Sequence, residues 1–227
     1  VEKRTSLTYH CLGMLALGVD TSEPLGGVAL YDRASVASER WMSAPLRHAD
    51  QLLPLIEESL DENSAERSDL GLVCINRGPG SFTGLRIGLA AVKGLCQTLE
   101  IPLIGVDGVE AYRARVADAR RVCVIVASRR MLQYVQFFVG SRPRAPIALM
   151  QRDELVESLR REAREVILVG SGAQSVGEAL QGHPTVRVAP EEANQPSPLS
   201  IVQLGWSERP VDHLYEIEPL YVEPLLV

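Results

Sequence analysis

Apolar positions along this chain follow two rhythms. Short apolar runs at 12–19, 28–31, 36–41, 70–75 and 103–106 predict strands. Two longer segments repeat their apolar residues every three or four positions, the period of a helix. The segment 48–60 sets Ala49, Leu52, Leu53, Ile56 and Leu60 on one face, against Asp50, Gln51, Glu57 and Glu58. Pro54 lies within it and must fall in the first turn or make a kink, because its ring meets the carbonyl four residues back. The segment 83–99 is nearly uncharged around Arg86 and Lys93. Its Leu85, Leu89, Val92, Cys96 and Leu99 form one ridge, and Gly84, Gly88 and Ala91 form a second, smooth one.

A second series follows. It reads as a helix at 109–116, strands at 122–126 and 132–139, and a helix at 152–164. A strand at 166–169, a turn at 170–172, a helix at 173–180 and a strand at 186–188 come next. A proline-rich loop at 189–198, a helix at 201–205 and an extended tail with Pro210, Pro219 and Pro224 complete it. Two strand-rich series, each with helices after the strands, predict an α/β protein of two lobes, 1–108 and 109–227.

Between the 70–75 strand and the central helix stands Gly78-Pro79-Gly80-Ser81-Phe82-Thr83-Gly84-Leu85-Arg86. Such a turn at a helix N-terminus can attract an anion or let another backbone come close. It is no Walker A loop, since Leu85-Arg86 stands where Lys-Ser/Thr belongs. Glycine inside a helix costs about 0.5–1 kcal/mol relative to alanine, so Gly84, Gly88 and Gly94 imply close packing. The neighbour is this chain's own sheet or a helix of another chain, and both can hold on different faces. On the second reading, leucine at Gly88 blocks assembly while the monomer stays folded.

Composition narrows the function classes. The 227 residues are 46% hydrophobic with a net charge of −6, enough for a core and unlike a nucleic-acid coat. Lys3 and Lys93 are the only lysines, and arginines are dense from Arg113 to Arg164. That stretch reads as a solvated surface, or as a patch for RNA or an acidic partner. Cys11, Cys74, Cys96 and Cys123 lack metal-ligand spacing and read as buried thiols of a reducing cytosol. Residues 1–10 read as a loose leader; the 12–19 run lacks a cleavage site and reads as a core strand. No stretch is long enough to span a membrane.

Several motifs together resemble one family. Leu15-Ala16-Leu17-Gly18-Val19-Asp20-Thr21-Ser22, Arg47-His48-Ala49-Asp50-Gln51-Leu52-Leu53-Pro54-Leu55-Ile56, the glycine run, and Ile101-Pro102-Leu103-Ile104-Gly105-Val106 resemble the bacterial TsaB (YeaZ) family, most specifically through the glycine run. The resemblance implies the two-lobed ASKHA (actin, Hsp70, sugar-kinase; ribonuclease H-like) fold. It implies a cytoplasmic, non-catalytic subunit for threonylcarbamoylation of adenosine 37 in tRNA. The implied partners are the catalytic paralogue TsaD and the ATPase TsaE, with a homodimer when alone and tRNA reached through the complex. The interface it implies comprises His48, Leu52, Leu53, Ile56, Gly84, Leu85, Gly88, Leu89, Ala91 and Val92.

Residue by residue, catalysis is not carried over. The paralogue holds its metal with two histidines four apart, where this chain has Gly108 and Tyr112. His10, His48, His183 and His213 are scattered, and His48 reads as a capping or surface residue. The second phosphate-gripping turn of the fold needs glycines, and Val126-Ala127-Ser128-Arg129-Arg130 has none. Asp20 reads as a turn stabiliser, and Gly170-Ser171-Gly172 weakly resembles an adenosine-side turn. Asp20, Gly170 and Gly172 are thus expected to be a vestigial nucleotide site, with no cofactor and no metal. Ala127-Ser128-Arg129 replaces the family's Asp-Ala-Arg, Leu132 stands at its glutamate place, and Pro219-Leu220-Tyr221-Val222-Glu223 departs from its Pro-Leu-Tyr-Leu-Arg. The alternatives are an ATP-binding ASKHA enzyme, a glycoprotease-like metallopeptidase, for which no His-Glu-x-x-His exists, and a tRNA-binding module.

Overall fold

In the computed structural model the two series of apolar runs become two sheets, and residues 14–32, 36–129, 131–195, 197–207 and 214–222 are described. The leader 1–10 with His10, and Cys11, Arg130, Pro210, His213, Glu223 and Pro224, lie outside the described residues.

The first sheet is built from β1 (Leu15–Asp20), β2 (Gly27–Tyr31), β3 (Val36–Trp41), β4 (Leu70–Gly78) and β5 (Leu103–Asp107), in the order β3-β2-β1-β4-β5. The first three strands meander antiparallel, while β4 and β5 extend the sheet in parallel with β1. Parallel neighbours need long crossovers, which α1 (His48–Glu62) and α2 (Phe82–Leu99) supply. Leu52, Leu55, Ile56 and Leu60 of α1 and Leu89, Val92 and Cys96 of α2 share one core with Leu17, Val19, Leu30, Val73 and Ile75. Pro54 stands inside α1, exposed, and the helix runs on beyond it.

The helix α3 (Gly108–Ala114) leads into the second sheet. Its strands are β6 (Arg121–Ala127), β7 (Leu132–Val139), β8 (Arg142–Pro143), β9 (Ala148–Gln151), β10 (Val166–Val169) and β11 (Val186–Val188). Their order is β11-β10-β6-β7-β8, with β9 also on β7. The helices α4 (Arg152–Arg160) and α5 (Ala173–Glu178) cover it through Leu155, Val156, Leu159, Ala173 and Val176. The strands β8 and β9 were not expected, being two and four residues long and without a buried apolar position. The helix α4 stops short of Arg164, where Arg160-Arg161-Glu162 offers nothing apolar to bury.

The helix α6 (Pro198–Ser207) corrects the single cut between 108 and 109. It crosses back to the first sheet, where Ile201 and Val202 pack on Ala16, Ala29, Leu72 and Cys74. The strands of that sheet are apolar on both faces, and α1 and α2 cover only one. A sheet of that kind needs a second layer, and α6 is that layer. Residues 214–222 follow it: Ile217 enters the first core and the Leu220 N–H donates to the Arg77 carbonyl at 2.7 Å. Among the described residues no helix is long and apolar enough to cross a membrane.

Candidate functional site

The glycine run meets its own chain. Ser81 caps α2, its Oγ accepting from the Gly84 N–H at 3.2 Å, and its own N–H donates to the Ser22 carbonyl at 2.6 Å. A Cβ added at Gly80, Gly84 or Gly88 would lie under 3.0 Å from Ser22 O, Thr21 O or Thr21 Oγ1 respectively. Gly78 has φ +118°, a conformation that L side chains rarely adopt. Of the two uses read from the sequence, close backbone approach is the one realised. The expectation of a folded Gly88→Leu monomer is corrected, because Thr21 occupies the space.

The turn against which the glycines pack belongs to a buried polar cluster between the sheets. Asp20 accepts from Ser22 N (2.8 Å), Ser22 Oγ (2.7 Å) and Asn76 Nδ2 (2.9 Å). It is therefore a turn stabiliser, though one backbone N–H and two side chains do the work. Burial pushes its carboxyl above the usual range. Asn76 Oδ1 accepts from Gly78 N at 2.8 Å, and a Cβ on Gly108 would collide with the Asn76 amide. A histidine thus has no room at one of the two metal places. Tyr112, at the other, is buried, and burial, with the Glu23 and Asp20 carboxyls nearby, raises its phenol well above the usual range.

Glu23 joins the lobes. Its Oε1 accepts from Ser171 Oγ at 2.6 Å, and burial raises its carboxyl to about 7. His48 is buried, not on the surface, and its Nε2 lies 3.0 Å from the Glu23 carbonyl. Burial disfavours its cation.

On the second-lobe side, Ser171 Oγ also accepts from Ala127 N at 3.0 Å. Gly170 N donates to Asn194 Oδ1 (3.0 Å) and Gly172 N to the Ile125 carbonyl (2.9 Å). Phosphate-gripping turns work through free N–H groups, and these three are engaged within the chain. Among the described residues no group of three His, Cys, Asp or Glu could hold a metal ion. The sequence reading missed Glu23, Asn76 and Ser171. A polar residue closing an apolar strand, as Asn76 closes the 70–75 run, is the signal that could have found one of them.

The residues expected at a partner interface divide. His48, Leu52, Ile56, Gly84, Leu85, Gly88, Leu89 and Val92 are buried against this chain's own sheet and turn. An inaccessible side chain cannot touch a second subunit, so for these eight the expectation is corrected. Leu53, half exposed, and Ala91, partly buried, remain. One outward stripe of α2 is instead Thr83, Ile87, Ala90, Gly94 and Thr98, spaced three and four apart and uncharged, with exposed Arg86 and Gln97 beside it. Gly94 has nothing within 4 Å of an added Cβ, unlike Gly84 and Gly88. At the start of the same helix the Arg86 guanidinium lies 3.9 Å from the Phe82 ring centroid and donates to Tyr221 Oη at 3.0 Å.

A family model described as TsaD, tRNA N6-adenosine threonylcarbamoyltransferase, matches residues 43–144. The tRNA threonylcarbamoyladenosine biosynthesis protein TsaB of Escherichia coli (strain K12) is 34% identical over 94 residues, 41% of this chain. The match covers 40% of that protein, so the chain spans less than half the length of this curated relative. The solved structure of YeaZ from Pseudomonas aeruginosa is similar with a TM-score of 0.72 at 23% identity, over 92% of this chain and 100% of that one. The ethanolamine utilization protein EutJ from Carboxydothermus hydrogenoformans is similar at TM-score 0.57 and 13% identity, over 86% of this chain and 92% of that one. With two sheets of mixed α/β build, the chain has the ASKHA fold expected from its sequence.

Proposed function

We propose that this chain, a member of the TsaB/YeaZ family, is a non-catalytic partner subunit in the threonylcarbamoylation of adenosine 37 in tRNA. Its relative in Escherichia coli is named for that biosynthesis, and a TsaD-type family model matches residues 43–144, the later part of the first lobe and the start of the second. The partner is a TsaD-type catalytic paralogue, joined by a TsaE-type ATPase, in the cytoplasm. Alone, the chain pairs with itself through the same face, since paralogues resemble each other there.

One observation carries the reading: Gly94 sits in the middle of α2 with open space beyond it. A helical glycine costs about 0.5–1 kcal/mol relative to alanine, and nothing among the described residues uses the smoothness. A second helix seated on Thr83, Ile87, Ala90 and Gly94, with Leu53 of α1 at its edge, would use it. The crowded Gly108–Asn76 contact and the engaged N–H groups of Gly170 and Gly172 favour a partner role over an ATP-using enzyme.

The test is association. Gly94→Arg leaves thermal stability within about 1 kcal/mol of wild type, since its side chain meets open solvent, but abolishes the complex with the catalytic paralogue and the homodimer in native mass spectrometry. An intact complex with the variant would overturn the assignment of this face. Failure of the wild-type chain to bind the paralogue or restore the tRNA modification would overturn the role.

A further inference from the structure

The two lobes are joined by two chain crossings and, through side chains, by Glu23 and Ser171. The helix α3 makes the first crossing, with Ala111 in a core cluster of the first sheet and Val109 and Tyr112 in one of the second. The segment leading into α6 makes the return, and Arg115, just past α3, donates to the Glu192 carbonyl of that segment. Two crossings bonded side by side form a hinge. At the side-chain contact Ser171 Oγ donates to Glu23 Oε1 at 2.6 Å, and Ala127 N donates to the same hydroxyl at 3.0 Å.

Closure at this contact buries polar groups without satisfying all of them. Tyr112 Oη, and Gln133 Oε1 where it stands against Gly172, are buried with no hydrogen-bond partner. Glu23 is buried too, and among the described residues no cation pairs with its carboxyl. The titratable groups around it are Asp20 in its own turn, His48 of α1 at its backbone carbonyl and Tyr112 of α3, with Arg115 beyond Tyr112. Burial disfavours the His48 cation, so none of the three supplies positive charge. An ionised carboxylate here lacks a charge to offset its lost hydration, whereas the protonated carboxyl keeps the Ser171 bond. The carboxyl accordingly titrates at about 7 in the closed chain against an ordinary 4.5.

We infer that the Glu23–Ser171 contact is a proton-operated latch: the lobes are held together while Glu23 carries its proton, and swing apart about the α3 hinge when it ionises. Opening returns the carboxylate and the Tyr112 hydroxyl to water. It leaves both sheets folded, since the main core cluster of each lobe lies wholly on its own side of the contact. For a carboxyl that moves from about 7 when closed to 4.5 when open, the open-to-closed ratio rises about 70-fold between pH 5 and pH 8. The closed form is thus favoured below neutrality and weakened above it.

Hydrogen exchange of the full chain at pH 5, 6, 7 and 8, corrected for the intrinsic pH dependence of amide exchange, tests this. The reporters are the amides of the two contact turns, 20–23 and 170–172, set against ladder amides of β1 and β4. In the wild type the turn amides should lose about 70-fold in protection from pH 5 to pH 8, at rates insensitive to low urea, because opening exposes little surface. The ladder amides should speed up with urea, as exchange through global unfolding does. Ser171→Ala should lower turn protection already at pH 5. Glu23→Gln should remove most of the pH-dependent loss; Asp20 and His48 are common to both proteins, so the difference isolates Glu23. Turn amides that follow the ladder amides in urea at every pH, or a loss of the same size in Glu23→Gln, would overturn the latch. Neither result bears on the subunit role, which the association assay with Gly94→Arg decides.

Discussion

Replacing Glu23 by glutamine should change how stability depends on pH. The side chain is 8% exposed, bonded to Ser171 Oγ, and packed near Asp20 and Tyr112. Its carboxyl titrates near 7 in the folded chain against an ordinary 4.5, burial being the main cause and Asp20 a lesser one. Between those values the folded chain holds a proton that the unfolded chain has released. Stability therefore falls as pH rises through that window and levels off above about 7. At about 1.4 kcal/mol per pH unit the full loss is about 3 kcal/mol. Glutamine keeps the shape and the acceptor for Ser171 but cannot ionise. His48 works in the opposite sense, since burial lowers it and folding is favoured as it loses its proton. Asp20 is raised like Glu23. Both remain in the variant, so the difference between the two proteins isolates Glu23 to first order. Urea unfolding at pH 5, 6, 7 and 8 should show Glu23→Gln gaining on wild type by up to about 3 kcal/mol across the series. A difference that stays flat, or wild type gaining towards pH 8, would refute the linkage argument.

Two further outcomes join those given above. Gly88→Leu should lower folding stability by about 1–3 kcal/mol or more, because its side chain must displace Thr21; a wild-type melting curve would show that α2 does not pack as described. In the native chain Cys74, Cys96 and Cys123 should resist a thiol reagent at pH 8 and react on unfolding, since all three are buried, the Cys96 thiol is pushed up to about 12 and burial raises that of Cys123 also; mass-spectrometric counting of labelled sites checks this.

Much of the fold is legible in the chain. Strand runs and helix periods mark nearly every long element, because side-chain periods of 2 and 3.6 are imposed by backbone geometry. For α1 the pattern named half of the buried face: Leu52, Ile56 and Leu60 are inside, with His48, Leu55 and Ser59 beside them, while Ala49 and Leu53 are exposed. The helix α2 was harder. Apart from Arg86 and Lys93 it has no charge to mark its outer side, so its sequence offers a large apolar ridge and a smooth one with no means of ranking them. The polar cluster was the least legible part, since Glu23, Asn76 and Ser171 come from three distant segments.

By itself, then, the sequence determined the two-lobed α/β plan, excluded a Walker A loop at the glycine run and, through its family resemblance alone, set Gly108 and Tyr112 where the paralogue has histidines. Tertiary structure decided what each apolar face meets. It sent α6 back to the first sheet, because that sheet had one bare face. It turned Gly84 and Gly88 inward against Thr21 and left Gly94 facing outward. It also brought Glu23 to Ser171 across 148 positions of chain. The reason is common to all three: periodicity states that a face must be covered, and only the packed chain determines which partner covers it at contact distance.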